Sequence, residues 1–165
     1  MKKLYLLFVA ILLVAINVPS YNYVNAEAQM SPKKDKLTKN SANAQVPMLS
    51  NVTQKSSNQL EISFDQAVDV NSGTKATNYW IQATTDVKPS GIATMGKNDQ
   101  VNASNSLSAD KVKIEPLSGT NNSFKLTFKD KIQPKKQYKL IVCYVIAPGG
   151  APYNGDNGMQ VFTGK

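Results

Sequence analysis

A chain of 165 residues with a formal net charge of +8 has room for one domain of ordinary size. All 19 basic residues are lysine; arginine and histidine are absent, and there is one cysteine. That composition excludes Ser-His-Asp and Cys-His hydrolase sites, His-ligated metals, intramolecular disulfides and cysteine-based zinc or iron–sulfur centres. Without the bidentate guanidinium fork, positive charge argues only weakly for nucleic acid, and no nucleic-acid partner is expected.

Met1-Lys2-Lys3 is a short positive stretch, Leu4 to Ile16 is apolar apart from the hydroxyl of Tyr5, and Val24-Asn25-Ala26 suits a cut after Ala26. This pattern predicts a signal peptide over residues 1–26. The apolar run, about 13 residues, falls short of the roughly 20 that span a bilayer as a helix, which favours cleavage over a retained anchor. The expected location is secreted or cell-envelope associated, with membrane contact only through the signal segment. Residues 27–47 are polar and lysine-rich, with no hydrophobic period, and predict a disordered linker. It reads as a solvated spacer, or as a weakly positive tail for an anionic polymer.

From Met48 the hydrophobic period is two. Leu60, Ile62 and Phe64 alternate with polar residues, as do Val112 with Ile114, and Phe124 with Leu126 and Phe128. An opening strand is predicted near 49–53. Another holds Tyr79 and Ile81, a nearly continuous apolar one runs from Tyr138 to Ile146, and a last one covers 159–163. Turn clusters rich in Gly, Asn, Asp and Pro separate them. The prediction is all-β: an Ig-like β-sandwich of about seven antiparallel strands over residues 48–165, large enough to need no metal or disulfide.

The segment Ile132-Gln133-Pro134-Lys135-Lys136-Gln137-Tyr138-Lys139-Leu140-Ile141-Val142 resembles the L-x-P-x-T-x-Y-x-V-x-V segment of fibronectin type III and related Ig-like domains, with Ile for Leu and Lys136 for Thr. Leu60 to Asp69 followed by Asn78-Tyr79, together with Tyr138–Val142, is similar to bacterial Ig-like modules of the S-layer protein type. The resemblance implies a secreted spacer, adhesive or assembly unit without chemistry of its own. It also implies a tyrosine corner, shaped by Ile132 and Pro134. Tyr138 would bury its ring and bond its hydroxyl to upstream backbone, a bond worth about 1–2 kcal/mol in Tyr138→Phe.

Candidate sites are few. Asp65 and Asp69 flank one strand end but lack companion ligands at a defined spacing, so solvated turn acids outweigh a glycosidase or calcium site. The oxygen-rich loop from Asn154 to Gly158 lacks the order of known calcium loops and reads as a turn; the sequence leaves calcium there open. Lys111, Lys113, Lys125 and Lys129 share the outward parity of two strands. They could face an anionic cell-envelope polymer or glycan, although outward lysine more often protects sheets from stray pairing. Trp80 falls on the polar parity between Tyr79 and Ile81. Either the loop Lys88–Asn105, part of a long polar insertion over residues 86–110, or the linker covers it, or it is an exposed platform for a sugar or another surface protein. Cys143 is expected to be an unpaired, covered thiol. No catalytic residue, metal or cofactor is expected. The reading is a noncatalytic module of adhesion, envelope assembly or spacing; the rival is a secreted carbohydrate-binding protein, enzyme accessory or inhibitor.

Overall fold

A computed structural model of the chain describes residues 45–165. The expected signal peptide lies outside the described residues, as does the expected linker except for its last three residues. Of those, Pro47 is buried and its carbonyl accepts a hydrogen bond from Asn157.

Seven strands follow the alternating pattern: β1 (Leu49–Ser56), β2 (Gln59–Phe64), β3 (Tyr79–Ala83), β4 (Val112–Pro116), β5 (Ser123–Phe128), β6 (Gln137–Cys143) and β7 (Asp156–Thr163). One four-residue helix, α1 (Val70–Gly73), stands between β2 and β3. All pairings between these strands are antiparallel, in a four-stranded sheet of order β1-β2-β5-β4 and a three-stranded sheet of order β3-β6-β7. This is the strand order of the constant-type immunoglobulin sandwich.

The inward parity of both sheets makes the core. Leu60, Ile62, Phe124 and Leu126 face Tyr79, Ile81, Leu140 and Val142, all essentially inaccessible to solvent. Aromatic packing adds geometric definition: Phe64 meets Phe124 edge-on at 6.0 Å, and Tyr138 stacks on Phe162 at 5.4 Å.

Tyr138 is buried, and its hydroxyl accepts from the backbone N–H of Gln133 at 3.4 Å. Ile132 is buried beside it, whereas Pro134 is exposed. The corner itself turns at Lys135, whose φ is 64°, and is fixed by Lys135 N–H donating to the Gly164 carbonyl and Gly164 N–H donating to that of Lys136, each at 2.8 Å. The long hydroxyl bond puts Tyr138→Phe at the lower end of the hydrogen-bond range, a loss of about 0.5–1 kcal/mol in denaturant unfolding. A loss above about 2 kcal/mol would mean that the hydroxyl has a stronger partner.

Tyr79 is the more consequential phenol. It is fully buried and donates to the carbonyl of Gly73, joining the start of β3 to the end of α1. Burial raises its pKa above the ordinary value of 10.0. The folded state therefore holds this proton more tightly than the unfolded chain. Its contribution to stability is complete below pH 10 and declines as pH rises beyond it. Alkaline titration is expected to show at least one tyrosine, Tyr79, whose phenolate absorbance appears only with loss of the β-sheet circular-dichroism signal. Ionisation of every tyrosine in the intact fold would contradict this.

The segment between β3 and β4 crosses the outer face of the three-stranded sheet. Ala83 N–H donates to the Met95 carbonyl at 2.8 Å and Met95 N–H to that of Ile81 at 3.0 Å, so this segment also caps the open edge of β3. Gln82 Nε2 holds the crossing by donating to the carbonyls of Gly96, Lys97 and Asp99 at 3.1–3.2 Å. A β-carbon on Gly96 would lie 1.8 Å from the Val87 carbonyl oxygen, so the close turn there demands glycine.

Candidate ligand groove at the loop end of the sandwich

The sequence-derived candidates fall in different places. Trp80 is not a platform: its ring is 1 % exposed, packed with Met95, Ile141 and Cys143 under the crossing segment. Its indole Nε1 donates to the Asn102 carbonyl at 2.9 Å, and Tyr144 meets it edge-on at 6.1 Å. The covering insertion removes the free-energy cost of a wet indole that made the position unusual.

The four lysines do not form an unbroken positive face. On the outer surface of the four-stranded sheet, Glu61, Lys125 and Glu115 lie in register across β2, β5 and β4. Glu115 takes Lys113 at 2.8 Å and Lys125 at 3.4 Å, and Glu61 takes Lys55 at 3.3 Å. The hydrogen bond from Lys113 holds the Glu115 carboxyl below its usual range, with Lys125 adding to the effect. Lys111 and Lys129 sit beside Asp110, whose carboxyl is lowered first by a hydrogen bond from Ser108 and then by those two charges. Signs alternate across the surface, so the field of one lysine is largely cancelled by its neighbour's.

Asp65 and Asp69 each hold a backbone N–H. Asp65 Oδ1 accepts from Met48 N–H at 2.8 Å, and Asp69 Oδ1 caps α1 by accepting from Ser72 N–H at 2.9 Å. In the loop from Asn154 to Gly158, Asp156 Oδ1 accepts from Gly158 N–H at 2.7 Å and Asn157 is buried. Among the described residues no group of three or more His, Cys, Asp or Glu is placed to hold a metal ion. Cys143 is a buried free thiol; burial pushes its pKa up, and the Asp156 carboxylate adds to that.

A different constellation emerges where the β2–β3 and β6–β7 connections meet. In variable immunoglobulin domains the corresponding B–C and F–G loops share one end of the sandwich. Here Asp69 N–H donates to the Ile146 carbonyl at 2.8 Å, and Ile146 N–H returns a bond to Ser72 Oγ at 3.2 Å. Asn78, 4 % exposed, donates to the Ser72 carbonyl at 2.9 Å. These bonds fasten the loops into the walls of an open cleft of about 520 Å³, bounded by Asn71, Lys75, Asn78, Tyr144, Tyr153 and Asn154 among others. A second cleft of about 350 Å³ shares Lys75, Asn78 and Tyr144 and continues over the edge of Trp80 to Ala103 and Ser106. Lys75, Asn78 and Tyr144 thus line both clefts.

Tyr144 is held there by an unusual backbone. Its φ is 66°, a region costing an L-residue about 1–2 kcal/mol. The chain leaves β6 by this twist, and Tyr144 N–H donates to the Gly155 carbonyl at 3.0 Å. The ring is 43 % exposed. Tyr153, which lines the larger cleft, is oriented by its hydroxyl donating to the Asp156 carbonyl at 3.0 Å, and it lies so close over Gly155 that a β-carbon there would be 2.3 Å from the hydroxyl oxygen. Among the described residues, the side chains of Asn71, Asn154 and Lys75 and the hydroxyl of Tyr144 have no hydrogen-bond or ion-pair partner, and all four open to solvent.

Neither tyrosine had been picked out in the sequence. Tyr144 lies in an apolar run that reads as strand, and Tyr153 in a Pro/Gly/Asn cluster that reads as turn. An aromatic inside such a turn cluster was the available signal.

No protein-family model matches this chain, and no curated protein matches it. Solved structures do. It is similar to the crystal structure of the S-layer protein rSbsC(31-844), with TM-score 0.49 and 14 % identity over 74 % of this chain and 14 % of that one. It is also similar to the N-terminal part of the bacterial S-layer protein SbsC, with TM-score 0.48 and 15 % identity over 74 % of this chain and 24 % of that one. This chain thus spans a small fraction of the proteins it matches.

Proposed function

We propose that this chain is a noncatalytic interaction module of the cell surface or extracellular space, acting in adhesion or envelope assembly, with the loop-end groove as its binding surface. The observation that carries the reading is the fastening of the two loops by the Asp69–Ile146–Ser72 hydrogen bonds. A concave surface built on fixed loops is suited to holding a partner, because little freedom remains to be lost on binding. Its one lining carboxylate, Asp69, already caps α1, which suits holding better than proton transfer.

The test is co-sedimentation of the purified chain with fractionated cell envelopes. Saturable binding to one fraction is expected, weakened about tenfold or more by Tyr144→Ser, since a central aromatic anchor carries much of such an interface. Binding to no fraction, or binding indifferent to Tyr144, would overturn the assignment. Circular dichroism of the variant guards against misfolding.

A further inference from the structure

The β6–β7 connection carries two Asn-Gly pairs, Asn154-Gly155 and Asn157-Gly158. In such a pair the glycine backbone nitrogen can attack the asparagine side-chain amide carbon, because no β-carbon hinders the approach. A C–N bond forms, and the amide leaves as ammonia, taking up the proton that the backbone nitrogen gives up. The product is a five-membered succinimide. Water then opens that ring at either carbonyl and leaves aspartate or isoaspartate. Water is consumed, ammonia is released, and no electron changes hands. The reaction needs an asparagine side chain free to swing onto its own backbone and a glycine N–H free to lose its proton.

The two pairs differ in both respects. The Asn157 side chain is wholly buried and held by three bonds at 2.8 Å, and Gly158 N–H donates to Asp156 Oδ1 at 2.7 Å. Asn154 is exposed, and among the described residues neither its side chain nor the N–H of Gly155 has a hydrogen-bond partner. Tyr144 N–H holds the Gly155 residue by its carbonyl, which leaves the nitrogen open. We propose that Asn154 is a site of spontaneous deamidation and that the fold shields Asn157 from the same reaction. To react, Asn157 must first give up its three bonds, an opening that slows it by about tenfold or more.

The modification alters the larger cleft. Its charged lining is one carboxylate, Asp69, and one ammonium, Lys75, and a carboxylate at position 154 makes that balance net negative. The isoaspartate form also adds a methylene to the backbone just before Gly155, whose carbonyl anchors Tyr144. This chemistry does not depend on the cleft's having a partner.

The experiment incubates the whole folded chain in mildly alkaline buffer, with a parallel sample in denaturant. Aliquots are digested at acidic pH, where the reaction is slow, and both Asn-Gly pairs are followed by peptide mass spectrometry. In the folded chain Asn154 is expected to convert to aspartate and isoaspartate about tenfold faster than Asn157, or more. In denaturant the two should convert at comparable rates. Ion exchange of the intact chain should show an acidic species growing in step, absent from Asn154→Gln, because glutamine would have to close a slower six-membered ring. Circular dichroism checks the fold of that variant. Equal rates at the two sites in the folded chain would overturn the proposal. The same ratio with and without denaturant would show that the fold shields nothing. An acidic species forming in Asn154→Gln at the wild-type rate would place the modification elsewhere.

Discussion

Replacing Trp80 by alanine is expected to destabilise the fold by about 3–5 kcal/mol, the range for deleting a large aromatic from a packed site. The ring is 1 % exposed and forms a second small core with Met95, Ile141 and Cys143 on the outer side of the three-stranded sheet. This cluster is the underside of the crossing segment, so the deletion removes both the packing beneath that segment and the indole bond to Asn102. For a domain of this size the loss corresponds to a fall in melting temperature of about 10 °C or more. Trp80→Phe separates the two contributions. It keeps most of the apolar contact and gives up the N–H donor, and because Asn102 is exposed its carbonyl can turn to water, so the cost should be only about 1–2 kcal/mol. Thermal unfolding of both variants checks the assignment. An unchanged melting temperature for Trp80→Ala would put the ring outside the core and reopen its use as an exposed platform.

Trp80 also marks where the sequence stops being informative. Period-two alternation was enough to read the sandwich, because a strand with one buried face has no other way to place Leu60, Ile62 and Phe64 on the same side. The same parity put Trp80 correctly on the outer face. It could not show what lay above that face, because the covering segment is held by the backbone carbonyls of residues 96, 97 and 99 and by Gln82, none of which leaves a periodic trace. The groove was illegible for a related reason. Its walls come from connections far apart in sequence, joined by single hydrogen bonds such as Asp69 to Ile146, and its central ring depends on a left-handed residue, Tyr144, inside what reads as strand. The lysines show the converse limit. Parity placed Lys113 and Lys125 on one surface, but whether that surface is positive depends on strand register. Register brings Glu61 and Glu115 to either side of Lys125, and alternation within one strand does not contain register.

Asn157→Ala is expected to be among the most damaging single changes. Asn157 reads as one more turn residue in a Gly/Asn cluster, yet it is wholly buried. Its Oδ1 accepts from Val145 N–H, and its Nδ2 donates to the carbonyls of Val145 and Pro47, each bond at 2.8 Å. One side chain thus satisfies three backbone groups and joins the entry to β1, the exit from β6 and the start of β7. Alanine would leave all three without a partner, at about 1–3 kcal/mol for each group that water cannot reach. A total loss of about 3 kcal/mol or more is expected in denaturant unfolding. Asn157→Asp provides the control, because it changes shape very little. At neutral pH its carboxylate would face two carbonyl oxygens in a buried site, and burial would raise its pKa above the unfolded value near 4. Its protonated form can still donate to one carbonyl. The aspartate variant should therefore be most stable below pH 4 relative to the wild type and lose ground as pH rises, whereas the alanine variant should show no such pH dependence. If both variants unfold at the wild-type denaturant midpoint, the three bonds contribute nothing, and the attachment of β7 to the start of β1 must rest on side-chain packing in the shared core.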